Sequence, residues 1–150
     1  MAELDIGDAG AVLGEFLSTD QHYRDSSLAY GDGGIAALRA ALRLFLARPE
    51  IGFVWLAYEH GTPVGACVVC FAISTSAGAV VAKLDDVCVV SGREGRGVGT
   101  ALLDTLKNEL RRLQVKRIDT SCHLDNRGAK RFYERHGFRS LNEERLALLL

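Results

Sequence analysis

The sequence predicts a mixed α+β fold: a central, mostly antiparallel sheet with one parallel β-α-β crossover and about four helices. Two observations carry this. Three successive segments, 53–58, 64–74 and 80–90, are rich in Val, Ile, Phe, Tyr and Trp. A glycine-rich turn follows them, then leucines at helical spacing, then one more strand-like segment.

In chain order, residues 3–6 read as a short strand and Asp8 as the N-cap of a helix whose apolar face is Ala9, Val12, Leu13, Phe16 and Leu17. Residues 18–34 are polar, with glycines near their end, and read as a long loop. Ile35, Leu38, Leu42, Phe45 and Leu46 make a second amphipathic helix that stops at Arg48-Pro49, because proline lacks an N–H and clashes with the preceding turn. The three strand segments, separated by His60-Gly61-Thr62-Pro63 and by a Ser, Ala and Gly stretch, form an antiparallel meander. Val98, Leu102, Leu103, Leu106, Leu110 and Leu113 define a third helix, and 117–122 reads as a strand parallel to the one ending near Val90. Asn126 caps a short helix with Ala129, Phe132, Tyr133 and His136 on one side, and Gly137 ends it as a left-handed residue. Residues 138–150 supply one or two closing strands.

A chain of 150 residues, 48% of them hydrophobic, fits one domain spanning 1–150. It has no apolar run of about 18–20 residues and no basic-then-apolar N-terminus, so it is expected in the cytoplasm, off the membrane. Cys67, Cys70, Cys88 and Cys122 read as reduced thiols used in packing. On a strand, Cys67 and Cys70 fall on opposite faces, which excludes a metal or redox pair. The net charge of −1 gives no strong attraction to nucleic acid. From Ser91 to His136, however, eleven Lys and Arg face six Asp and Glu, an excess of five that suits a polyphosphate ligand or, equally, solvated helix faces.

In that basic third, Gly95, Gly97 and Gly99 leave backbone N–H groups uncovered at a helix N-terminus, where unpaired donors and the helix dipole favour an anion. The same glycines could simply let the turn bend and the helix approach the sheet. A P-loop is excluded because Val98 and Gly99 stand where Lys and Ser or Thr are needed. A dinucleotide fingerprint lacks its third glycine, although Asp119 lies about 20 residues on.

Two blocks, in order, carry a resemblance to the GNAT superfamily of acyl-CoA-dependent N-acyltransferases. Gly97-Val98-Gly99-Thr100-Ala101-Leu102-Leu103 matches the glycine half of the family's acyl-CoA loop and the helix after it. Asn126, Ala129, Phe132, Tyr133, Glu134, Gly137 and Phe138 complete the pattern Asn-x-x-Ala-x-x-Phe-Tyr-Glu-x-x-Gly-Phe. Glu94 departs from the pattern, standing where the family has Arg or Gln, so no binding role falls to its side chain.

The resemblance implies that acetyl-CoA is the cosubstrate and that a small-molecule or peptide amine accepts the acetyl group by direct attack in a ternary complex; it allows a homodimer. The backbone of Val87, Cys88 and Val89 would pair with the pantetheine arm like an added strand. Gly95, Arg96, Gly97, Val98, Gly99 and Thr100 would hold the pyrophosphate, with Arg93 and Arg96 adding positive charge. Asn126 would touch the pantetheine or act as a plain N-cap, and Arg131 or Arg135 would reach the ribose phosphate. Tyr133 matches the family's tyrosine that hydrogen-bonds the CoA sulfur and can donate a proton to a forming thiolate.

A strand N–H near Val87 to Val89 would polarise the thioester carbonyl. Asp85 and Asp86 are consecutive carboxylates in an apolar strand, placed on opposite faces by alternation, so one of them meets the acceptor. Asp86 is the favoured base or ammonium anchor, with Asp85 capping a loop or pairing with an arginine. His123 is an alternative proton acceptor. The rival functions are an acyl-CoA-binding sensor or structural module without transfer, and a nicotinamide-binding domain.

Overall fold

The computed structural model describes residues 3–24 and 33–148. Helices α1 (Glu3–Thr19) and α2 (Gly34–Ala47) precede strands β1 (Gly52–Glu59), β2 (Thr62–Ser74) and β3 (Ala79–Val89). Helix α3 (Val98–Arg112), strand β4 (Ile118–Thr120) and helix α4 (Arg127–Arg135) follow. The sheet order is β1-β2-β3-β4, antiparallel except for the β3–β4 pair, as the meander and the crossover predict.

Each face of the sheet buries one cluster. Ala9, Val12 and Leu13 of α1 and Leu38 and Leu42 of α2 cover Val54, Ala66, Val68 and Cys88. Leu102, Leu103, Leu106 and Leu110 of α3 cover Cys67, Val69, Ala82 and Leu84 on the other face, with Phe132 of α4 packed alongside. The helical spacing of the α3 leucines puts all four on one side, where they are at most 2% exposed. Cys67 and Cys70 pack against opposite clusters, and Cys122 is exposed rather than set in apolar surroundings.

Five expectations need correction. Residues 3–6 are the first turns of α1, because Ile6 continues the stripe of Ala9, Leu13 and Phe16 and packs into the same cluster. Asp8 therefore lies inside the helix, and its carboxylate accepts from the Tyr58 hydroxyl at 2.8 Å. Of the loop expected at 18–34, Ser18 and Thr19 belong to α1, 21–24 are helical and Gly34 begins α2, while 25–32 lie outside the described residues. The strand expected at 117–122 is only Ile118–Thr120, and 138–148 form no strand. So short a β4 offers little ladder for another strand, and Leu141, Leu146 and Leu148 stay 65–88% exposed.

Glycine matters to packing within α1. A Cβ at Gly14 would stand 3.2 Å from the Ile35 side chain, so the bare backbone lets α1 and α2 close together.

Candidate active site

The site begins where the two parallel strands part. β4 pairs with β3 only through Ala82, Lys83 and Leu84, whereas β3 continues to Val89, so among the described residues its edge from 85 to 89 has no strand beside it. Val90 N–H donates to Val64 O across to β2 at 2.9 Å. Antiparallel alternation then turns Cys88 toward β2 and points the N–H and C=O of Val87 and Val89 out of that free edge. Of the three residues expected to offer backbone to a ligand, Val87 and Val89 are so placed and Cys88 is not.

A bulge shapes the same stretch. The step from Cys67 to Val69 on β2 faces the longer step from Leu84 to Val87 on β3, leaving an extra residue at Asp85-Asp86. Leu84 and Val87 consequently lie on the same, α3-facing side, which simple alternation forbids. The carboxylates thus separate by bulge geometry rather than by strand alternation. Asp85 accepts from Lys83 Nζ at 2.8 Å, a lysine instead of the expected arginine or loop cap, and is exposed. Asp86 is half-buried. Burial first, and Asp85 second, push its carboxyl up to about 6, against the opposing charges of Lys83 and Arg145. Arg145 belongs to the segment after α4, which brings a cation to this side of the site.

Tyr133 is 9% exposed, its ring edge-on to Phe132 and Phe138 at 5.4 and 5.3 Å. Burial pushes its phenol up to about 12, and the Thr120 side chain at the end of β4, where the strands part, opposes that rise. Thr120, which the sequence did not mark, in turn donates to Leu84 O at 3.3 Å. Tyr133 also lies close enough to feel Asp86.

At the other end of the free edge is the glycine turn. Gly95 and Gly97 have φ of 72° and 85°, the left-handed region that favours glycine, and a Cβ on either would meet open space. Gly97 is the N-cap of α3 without a side-chain cap, and the N–H groups of Val98, Gly99 and Thr100 have no acceptor among the described residues. A Cβ at Gly99 would make ordinary contact with Phe132 at 3.4 Å and Val89 at 3.7 Å, so the packing of α3 on α4 and the sheet does not demand glycine there. Arg93 is engaged by the Glu59 carboxylate and is not a free flanking charge; Arg96 and Arg131 are exposed without an ion pair among the described residues. Asn126 Oδ1 accepts from Ala129 N at 2.9 Å, an N-cap that commits its oxygen and leaves its amide NH₂ to donate.

His123 packs its ring 5.2 Å from His22, joining the turn at 21–24 to the β4–α4 connection. His22, Glu15, Phe16, Asp20, Val90 and Ser91 help line a cleft of about 350 Å³ beside the end of β3. A second groove of about 430 Å³ lies between α1 and α2, away from these titratable groups. The sequence does not mark Glu15, Asp20 and His22 as neighbours of β3, since only the packing of α1 over the sheet brings them there.

Solved structures resemble this one over nearly the whole chain. A transcriptional regulator from Bacillus halodurans C-125 has a TM-score of 0.79 at 21% identity, covering 100% of this chain and 96% of that one. A ribosomal-protein-alanine N-acetyltransferase from Brucella melitensis biovar Abortus 2308 has a TM-score of 0.75 at 12% identity, covering 99% and 96%. An aminoglycoside acetyltransferase from an uncultured soil metagenomic sample, in complex with trehalose, has a TM-score of 0.70 at 14% identity, covering 100% and 91%. At such identities the likeness is one of fold. Comparison with curated proteins returns no match. The sequence model of the acetyltransferase (GNAT) family matches residues 17–138, which include the glycine turn, the free strand edge and Tyr133, and the chain belongs to that family.

Proposed function

We propose that the protein is an acetyl-CoA-dependent N-acetyltransferase that acetylates a primary amine by direct attack in a ternary complex. One observation carries the reading: a free strand edge at Val87 and Val89 runs between an open helix N-terminus at Gly97 and a buried hydroxyl at Tyr133, with Asp86 alongside. Acetyl-CoA supplies a thioester whose acyl carbon accepts the amine. The Gly95–Gly97 turn and the first N–H groups of α3 bind its pyrophosphate, and Val87 and Val89 hydrogen-bond its amide-bearing arm.

An N–H of that edge donates to the thioester carbonyl and stabilises charge as the carbon–nitrogen bond forms and the carbon–sulfur bond breaks. Asp86 takes the proton lost by the amine nitrogen. Tyr133 donates to the departing sulfur. A phenol raised to about 12 is a weak acid for a thiolate in water. Raised in this way the phenol keeps its proton at neutral pH and can hand it to the sulfur as the carbon–sulfur bond breaks.

The reading is tested at the base. With Asp86 active when ionised, kcat/KM rises as pH increases through about 6 and then levels until the amine's own titration enters. Asp86→Asn removes that limb and lowers kcat/KM about 10²-fold or more, whereas Asp85→Asn keeps the limb. The same Asn raises stability at pH 7 by about 1–3 kcal/mol. The sign follows because the folded-state carboxyl is raised above its ordinary value, so its ionisation opposes folding and the opposition fades as pH falls through about 6. A pH profile unaltered by Asp86→Asn contradicts the assignment of the base.

A further inference from the structure

The entry of the glycine turn is fastened from two directions by carboxylates that nothing in the turn's own sequence announces. Ser91 N–H, the first after β3 and Val90, donates to Glu15 Oε1 of α1 at 3.0 Å. Two residues on, the Arg93 guanidinium is held by Glu59 at the end of β1, and Arg93 N–H closes a tight turn on Val90 O at 3.0 Å. Residues 91 and 93 are thereby tied to α1 and β1, 76 and 34 residues away in the chain. Among the described residues the backbone N–H groups of Gly95, Gly97, Val98, Gly99 and Thr100 make no such bond and stay available, while the Thr100 hydroxyl lies 3.4 Å from His136 Nε2.

Glycine is the residue whose backbone is freest before a ligand orders it. A turn with Gly92, Gly95 and Gly97 all at positive φ starts from a large conformational spread, and ordering it costs affinity. Fixing the turn's entry reduces that cost before any ligand arrives. The two contacts differ in reach. Both are charge-assisted and open to screening by water, but Glu15 holds the turn's backbone directly, whereas Glu59 holds it through the long Arg93 side chain.

We propose that Glu15 and, more weakly, Glu59 are positioning residues that preorganise the phosphate-binding turn and so set affinity for acetyl-CoA without taking part in the chemistry. This rests on the turn's being the pyrophosphate site, as argued above. Neither carboxylate is offered to the ligand; each acts through Ser91 or Arg93.

The experiment combines amide hydrogen exchange of the ligand-free protein over 91–97 with acetyl-CoA titration and steady-state kinetics. Glu15→Ala is expected to speed exchange in that segment and to raise Kd and KM for acetyl-CoA about tenfold with kcat unchanged. Glu15→Gln, whose amide oxygen still accepts from Ser91, returns both close to the parent values, a rescue that general damage to α1 does not give. Glu59→Ala raises Kd about threefold. Unchanged exchange and Kd in a folded Glu15→Ala protein overturn the proposal, as does a Glu15→Gln variant as impaired as the alanine. Faster exchange in Glu15→Ala, with no acetyl-CoA binding even by the parent protein, keeps the fastening and overturns the pyrophosphate reading instead.

Discussion

Tyr133→Phe is expected to lower kcat about 10²- to 10⁴-fold, the range of general acid catalysis, while changing acetyl-CoA affinity little. The ring is already buried and packed edge-on to Phe132 and Phe138, contacts that phenylalanine keeps. What is lost is the hydroxyl and its donation to the departing sulfur. Steady-state kcat with a competent amine, set beside the acetyl-CoA dissociation constant for both proteins, is the check. Normal kcat removes Tyr133 from the mechanism, and lost affinity with normal kcat makes it a binding residue.

Gly97→Glu is expected to weaken acetyl-CoA binding about 100-fold or more and to abolish the rise in melting temperature that the ligand gives the parent protein. Gly97 caps α3 at φ 85°, so any side chain there carries strain of about 1–3 kcal/mol. A carboxylate at a helix N-terminus offsets part of that strain and lets the variant fold. It also competes for the N–H groups of Val98, Gly99 and Thr100 and repels a phosphate. Gly97→Ala separates the two effects, because its Cβ meets nothing within 4 Å while the backbone strain is the same. Alanine should retain most binding. A folded glutamate variant that is stabilised by acetyl-CoA like the parent contradicts the phosphate site.

The sequence made most of the scaffold legible because local pattern dictates it. The leucine period of α3, the β-branched runs of β1 to β3, the Asn126 cap with its Ala129 bond and the left-handed Gly137 at φ 90° all depend on neighbours within a few residues. What escaped depends on distant partners. The bulge at Asp85-Asp86 exists only relative to the register of β2, so alternation along β3 alone misassigns which residues share a face. The end of β4 at Thr120 decides how much of β3 is left open, and no residue in 117–122 marks it. Glu15 and Glu59 look like solvated positions of a helix and a hairpin until the fold sets them against Ser91 and Arg93. Residues 138–148 carry Leu141, Leu146 and Leu148 among four charged side chains, and they find no ladder to join.

The central claim is that the free edge of β3, the Gly97 turn and Tyr133 together move an acetyl group to nitrogen. Its most direct test is to incubate the protein with acetyl-CoA and a panel of amines, covering polyamines, amino acids, aminoglycosides and peptide N-termini, and to follow free CoA thiol beside the N-acetylated product. The account predicts thiol release that requires one class of amine and matches the acetylated amine formed mole for mole. Acetyl-CoA that binds and stabilises the protein, yet yields no amine-dependent thiol or product with any member of the panel, contradicts it and leaves an acyl-CoA-binding module.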